Sequence, residues 1–290
     1  MLAGVLVAVA VASGAFWFMS DSRLNQTLPV STELIPVPTD ISAIQRGQHL
    51  AGAIALCNGC HAANMAGRLI MDDAVARIVA PNLTAGHGGF GASFSDADFV
   101  RAIRRGIDPR GRQLLVMPSD NYSRLSDADV GAIVAYLRSL PAIDTNLPSS
   151  EVRPLGRLLL VTGQITLLPG GNADPSLPRR GPTQLGLTPE YGQYLVDIAG
   201  CATCHGPGLS GGSMPGATRN AVPAANITPT ALKDWSEADF LRVMRTGRRP
   251  DDRMLDASMP WQYYAQMTDL ELRAVWRFLQ LVPPRTTGTH

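Results

Sequence analysis

From Met1 to Ser20 the chain carries no charged side chain, and the apolar run closes on Phe16, Trp17 and Phe18. About 19 helical residues at ~1.5 Å each reach ~28 Å, close to the ~30 Å hydrocarbon core of a bilayer. Aromatic residues at the downstream end suit the bilayer interface. Residues 1–20 are therefore expected to form a transmembrane anchor. The competing reading is a cleaved signal peptide, but the run is long for such a segment and lacks a clean small-x-small site before a polar start. No Lys or Arg precedes it, so charge does not set its orientation. Residues 21–42 contain Pro29, Pro36 and Pro38, lack helical periodicity, and read as an extended tether.

Beyond residue 43 the pattern turns periodic, and it occurs twice. Phe94-Ser-Asp-Ala-Asp-Phe-Val-Arg-Ala-Ile-Arg-Arg-Gly106 is answered by Trp235-Ser-Glu-Ala-Asp-Phe-Leu-Arg-Val-Met-Arg-Thr-Gly247. Ser95 and Ser236 are N-caps, Asp98 and Asp239 complete a capping-box-like start, and Gly106 and Gly247 end the helices. Two later helices begin at Ser126 and Thr268. Their apolar stripes, Val130, Ile133, Val134, Leu137 and Leu272, Val275, Trp276, Leu279, fall at i, i+3, i+4, i+7, and Pro141 and Pro283 close them. Few stretches alternate as strands do.

The expected architecture is mainly α, with an N-terminal transmembrane helix and two tandem homologous domains at 43–142 and 188–284. A connection at 143–187 joins the domains and a short tail, 285–290, follows. The connection is rich in proline and glycine except for Pro154–Pro169, which is apolar nearly all round, too short to span a bilayer, and broken by Arg157 and Gln164. Two readings fit it: a segment buried between domains or against a partner subunit, or a contact with the membrane surface.

Length and composition agree with two domains. The chain has 290 residues, 45% of them hydrophobic, and its net charge of +1 implies neither a nucleic-acid nor a strongly acidic partner. Nearly all the basic residues are arginine, Lys233 being the only lysine.

The four cysteines carry the chemistry. Cys57-Asn-Gly-Cys60-His61 recurs as Cys201-Ala-Thr-Cys204-His205. Cys-x-x-Cys-His is the attachment signature of c-type haem: two thiols one turn apart add to the vinyl groups, and the next residue places an imidazole under the iron. A redox dithiol or half a zinc site explains one pair but not a histidine after both. A four-cysteine zinc ribbon needs pairs roughly 12–20 residues apart, whereas these lie 144 positions apart (57 to 201). Asn82-Leu-Thr and Asn226-Ile-Thr repeat at the same displacement, and Gly47-Gln-His-Leu and Gly192-Gln-Tyr-Leu precede the two motifs. Two haem c groups therefore use every cysteine.

Electron-carrying haems keep a sixth ligand, and methionine sulfur favours Fe(II). Met117 and Met259 are the candidates: each precedes a proline, follows Pro109 and Arg112 or Pro250 and Arg253, and occupies the same repeat position between the two late helices. Met254 is the nearest rival in the second domain, and Met65, Met71, Met214, Met244 and Met267 lack the combination. His87, in a glycine-rich loop, has no histidine counterpart and reads as solvent-facing; His49, matched by Tyr194, reads as structural; His290 is a chain end. Most of the arginines near 101–112 and 242–253 read as a solvated helical face. Arg112, Arg253, Tyr122 and Tyr264 are candidate contacts for haem propionates, which arginine suits.

From Asn-[Leu/Ile]-Thr through [Phe/Trp]-Ser-x-Ala-Asp-Phe-x-Arg to the Met-Pro loop, the chain resembles the cytochrome c subunits of bacterial membrane-bound dehydrogenases, which are class I c-type cytochromes. The resemblance covers both domains. It implies His61/Met117 and His205/Met259 ligation and electron transfer outside the cytoplasmic membrane. The haem domains would face the periplasm, and partners would be a membrane-bound dehydrogenase or other respiratory complex, a soluble cytochrome or terminal oxidase, and membrane lipid. Many such subunits carry three haems, and this chain has motifs for two. The rival from another class is a dihaem peroxidase, which needs one open iron; two Met-Pro loops speak against it, as they do against a gas sensor. A cysteine-ligated, thiosulfate-oxidising haem lacks a spare cysteine.

Overall fold

The computed structural model describes residues 2–30, 32–172, 185–213 and 221–289. Met214 and His290 lie outside them. The apolar run forms helix α1 (Leu2–Leu24), which continues past Ser20 through Asp21 and Arg23. The first domain then builds α2 (Ile41–His49), which passes into a π turn at Leu50–Ile54, the one-turn α3 (Cys57–His61), strands β1 (Arg68–Asp72) and β2 (Ala76–Ala80), and helices α4 (Asp96–Arg105), α5 (Ser119–Tyr122) and α6 (Asp127–Ser139). The connection contributes β3 (Glu151–Val152) and α7 (Pro154–Val161). The second domain repeats the helices, with one short addition at α10, as α8 (Pro189–Ile198), α9 (Cys201–His205), α10 (Pro229–Leu232), α11 (Glu237–Thr246), α12 (Trp261–Tyr264) and α13 (Asp269–Leu279).

The caps are as the sequence requires. Ser95 and Ser236 each accept from the N–H three residues on, while Asp98 and Asp239 reach back to complete capping boxes. Gly106 and Gly247 end their helices at φ 58° and 68°, a left-handed turn that suits glycine. The apolar stripes of α6 and α13 are buried.

Each domain is organised by one helix crossing, α2 on α6 and α8 on α13. Glycine permits it. A Cβ at Gly47 would lie 1.9 Å from the Ala132 carbonyl oxygen, and one at Gly192 1.9 Å from that of Ala274. The repeated glycine before each cysteine motif is therefore the point of backbone contact.

Three features depart from the sequence reading. A small antiparallel sheet, β1–β2–β3, projects from the first domain. Its β2 alternates buried and half-buried residues, too short a pattern to stand out. Second, the extended segment after α1 lies along the first domain: Leu28 N–H donates to Gly111 O (2.8 Å), Glu33 pairs with Arg104, and the Pro36 carbonyl abuts Gly131. Third, Arg101 and Arg104 are buried and not part of a solvated face. Arg101 pairs with Asp98 (2.6 Å), and Arg104 reaches Leu125 O (2.6 Å) and Asp127 (2.7 Å) under the strap that carries Glu33. Among the described residues no such strap covers their counterparts Arg242 and Arg245, which remain partly exposed.

The two domains share one hydrophobic core and exchange polar contacts. His49 of α2 donates to Glu271 of α13 (2.7 Å), while Tyr194 of α8, its repeat counterpart, donates to Asp129 of α6 (2.6 Å). Arg46 bridges both acids, Asp129 at 3.1 Å and Glu271 at 3.2 Å, and Tyr191 donates to Glu271 (3.2 Å). Asp129 and Glu271 each sit three residues after the N-cap that opens α6 or α13. Each domain thus offers its helix-start acid to the other.

Candidate haem sites

A single turn of helix presents each pair of cysteines. Leu56 (φ 54°) and Gly200 (φ 69°) turn the chain into α3 and α9, and Ala62 (φ 64°, ψ 163°) and Gly206 (φ 75°, ψ 162°) turn it out again. The first cysteine of each pair, Cys57 or Cys201, is half-buried and the second, Cys60 or Cys204, exposed. Burial pushes the Cys57 and Cys201 thiols up to about 12. Cys60 adds to the rise at Cys57, and Asp197 and then Cys204 add to it at Cys201. These are not the low-pKa thiolates that a redox dithiol uses.

Both histidines are buried, and both rings are fixed in the same way. His61 Nδ1–H donates to Pro81 O (2.8 Å) and His205 Nδ1–H to Ala225 O (2.7 Å). Burial lowers each pKa against that hydrogen bond, which favours the neutral imidazole. The Nε2 lone pair is then the free one, which is the donor an iron requires. Among the described residues no cluster of three or more His, Cys, Asp or Glu suits a bare metal ion. Two thiols, one oriented imidazole and a methionine suit haem.

The accepting carbonyls were not singled out by the sequence reading, although their signal was present. Pro81 and Ala225 directly precede the two Asn-x-Thr motifs, at the same displacement as the cysteines. Asn82 Nδ2 donates to Ile143 O (2.7 Å) and Asn226 Nδ2 to Arg285 O (2.8 Å), pinning each strand to the segment after α6 or α13. The asparagines thereby hold the carbonyls that hold the histidines.

Met117 and Met259 are partly buried and pack against the core. Met254 is 51% exposed, and Met65 and Met267 are core residues. His87 is exposed in its loop. The side chains expected near propionates have other partners. Arg112 pairs with Asp108 (2.9 Å) and Arg253 with Asp251 (2.5 Å), and both are exposed. Tyr122 is buried and donates to Ala55 O, and Tyr264 to Ala199 O (2.9 Å). Each tyrosine ties the turn after its Met-Pro pair to the residue two before the first cysteine, so its phenolic proton serves that link.

The two sites also meet across the domain boundary. Asn121, just after Met117-Pro118, donates to Thr203 inside the second cysteine motif (3.2 Å). Tyr263, its counterpart after Met259-Pro260, places its ring 3.7 Å from where a Cβ on Gly59, inside the first motif, would lie. Each methionine loop therefore abuts the other domain's cysteine turn.

Residues 42–137 match the family described as cytochrome c oxidase, cbb3-type, subunit III, and residues 189–282 match cytochrome c. A diheme cytochrome c-type protein of Cereibacter sphaeroides is 30% identical over 264 residues, 82% of this chain and 85% of that protein. The chain belongs to the dihaem c-type cytochromes. It carries two haem c groups and transfers electrons, as do the relatives named as cytochrome subunits. One subunit of the nicotinate dehydrogenase of Pseudomonas putida is 30% identical over 77% of this cytochrome, which spans 20% of that relative's length. The cytochrome c subunit of a quinone alcohol dehydrogenase from Gluconacetobacter polyoxogenes is 26% identical over 95% of this chain, and the chain spans 62% of it.

Proposed function

We propose that this dihaem cytochrome is held in the cytoplasmic membrane by α1, with its haem domains on the periplasmic side. It relays single electrons from a membrane-bound dehydrogenase or other respiratory complex to a soluble cytochrome or terminal oxidase. Bound haem iron supplies one-electron chemistry by cycling between Fe(III) and Fe(II). Cys57 and Cys60, and Cys201 and Cys204, hold the groups covalently. His61 with Met117, and His205 with Met259, would ligate the two irons. The chain's own residues orient and bury: Pro81 and Ala225 fix the imidazoles, and the shared core packs against Cys57, Met117, Cys201 and Met259.

The observation that carries the relay reading is the reciprocal contact of each methionine loop with the other domain's cysteine turn, Asn121 with Thr203 and Tyr263 with Gly59. It brings the two attachment edges to one boundary. The dehydrogenase partner is supported by relatives named as cytochrome subunits of alcohol, fructose and gluconate dehydrogenases. No relative's name supports the dihaem peroxidase alternative.

Pulse radiolysis tests the relay. One haem reduced in the burst should share its electron with the other at a rate independent of protein concentration. A rate proportional to concentration would mean exchange between molecules and end this reading. Retention of the chain in membranes after alkaline carbonate washing tests the anchor separately.

A further inference from the structure

The apolar segment of the connection finds its partner at the end of α1. Arg157 of α7 stacks over Trp17 (4.7 Å to the ring centre), donates to Ser20 Oγ (3.0 Å), and pairs with Asp21 (3.5 Å). In return Arg23 of α1 donates to Leu160 O (2.8 Å) and Val161 O (3.2 Å), the last carbonyls of α7, where a cation satisfies both the unpaired oxygens and the helix dipole. The other side of α7 is fixed to the first domain. A Cβ on Gly156 would lie 2.2 Å from Val75 O, and Arg153 pairs with Asp72 (2.5 Å) beside the β1–β2 turn. Gly156 and Leu160 face inward; Leu155 and Leu158, three apart, are 43% and 47% exposed.

The depth of this junction is set by α1. Its 23 residues at ~1.5 Å each span about 34 Å, just over the ~30 Å of a hydrocarbon core. The residues that receive α7, Trp17 to Arg23, are therefore at one boundary of that core, the level at which tryptophan and arginine settle. The exposed leucines lie on a helix clasped to the end of α1, which is almost wholly unburied in the protein. We infer that α7 lies in the lipid interface and places Leu155 and Leu158 among the acyl chains. It is a second membrane contact that fixes the tilt of the first haem domain. The occupant is bilayer lipid, because α7 is clasped to the end of the span at the depth of the interface; the inference rests on the anchor reading above. Burial of α7 against a partner subunit is an alternative outcome of the test.

All four native cysteines are used by haem attachment, so an introduced cysteine takes a spin label uniquely. Full-length Leu158→Cys, Val11→Cys and Leu281→Cys, each spin-labelled, would be placed in phosphatidylcholine nanodiscs, with the same sample under nitrogen as the baseline that removes relaxation by haem iron. Power saturation would then compare access of oxygen with access of a nickel chelate. At 158 the expected result is oxygen-favoured, as at 11 on α1, while 281 in the second domain is nickel-favoured. A nickel-favoured label at 158 with an oxygen-favoured one at 11 overturns the role of α7 and leaves the anchor standing. Protection from both reagents at 158 also overturns it, in favour of a protein contact. Loss of α1 by mass spectrometry, or a nickel-favoured label at 11, removes the anchor reading and this inference with it.

Discussion

Replacing Glu271 by Gln removes one charge from the interdomain cluster while keeping its volume. The side chain is 4% exposed and receives hydrogen bonds from His49, Tyr191 and the Thr268 N–H, with Arg46 at 3.2 Å. Burial by itself would raise its pKa. The hydrogen bond and charge of His49, the Thr268 N–H and Arg46 outweigh burial and bring the carboxyl from 4.5 to about 2. At ~1.4 kcal/mol per pKa unit, that drop is worth roughly 3 kcal/mol of folding free energy. The folded pKa lies below the unfolded one, so this stabilisation is complete above about pH 4.5 and is lost as pH falls toward 2. Gln still serves the Thr268 capping box, so the loss reports the charge and not the cap. Urea unfolding of the holoprotein, followed by Soret absorbance and circular dichroism, should show Glu271→Gln less stable by about 3 kcal/mol at pH 7. The difference from wild type should shrink through the acid range, because protonated Glu271 resembles Gln. A loss below about 1 kcal/mol, or one that ignores pH, would refute the reasoning.

Three further perturbations follow from other parts of the structure. Gly192→Ala forces a Cβ into the Ala274 carbonyl, and thermal unfolding should show a loss of about 3 kcal/mol, the upper end of overpacking costs. Ala62→Gly, which gives the first domain the residue the second has as Gly206, relieves a φ of 64° with ψ 163° and should stabilise by about 1 kcal/mol in the same assay. Met117→Ala and Met259→Ala should each leave the haem attached and open one iron, read as carbon monoxide binding to the reduced protein at one equivalent per chain. An unaltered spectrum and potential in either variant would refute that ligand.

What could be read from the sequence was local or repeated. Ser95, Asp98 and Gly106 announce α4 because capping acts over a few residues, and the second copy at Ser236, Asp239 and Gly247 repeats the signal. The cysteine turns are legible because thiols and imidazole must be adjacent. The interdomain cluster was not: His49 and Glu271 are 222 positions apart, and the pairing of His49 with Tyr194 as counterparts hid that each reaches into the other domain. Burial of Arg104 is hidden for a related reason, since it depends on Glu33 arriving on a strap from ahead of the first domain. The histidine-holding carbonyls of Pro81 and Ala225 leave no side-chain signature, only the asparagine that follows each.

Electron relay through this chain requires two closed haems, each held between histidine and methionine. Optical and near-infrared spectra of the oxidised and reduced protein, with carbon monoxide added to the reduced form, test this directly. The expected result is two low-spin haems with methionine-type near-infrared absorption and no change on carbon monoxide. A high-spin fraction that binds carbon monoxide at one equivalent per chain would contradict it and make one site open to substrate or gas.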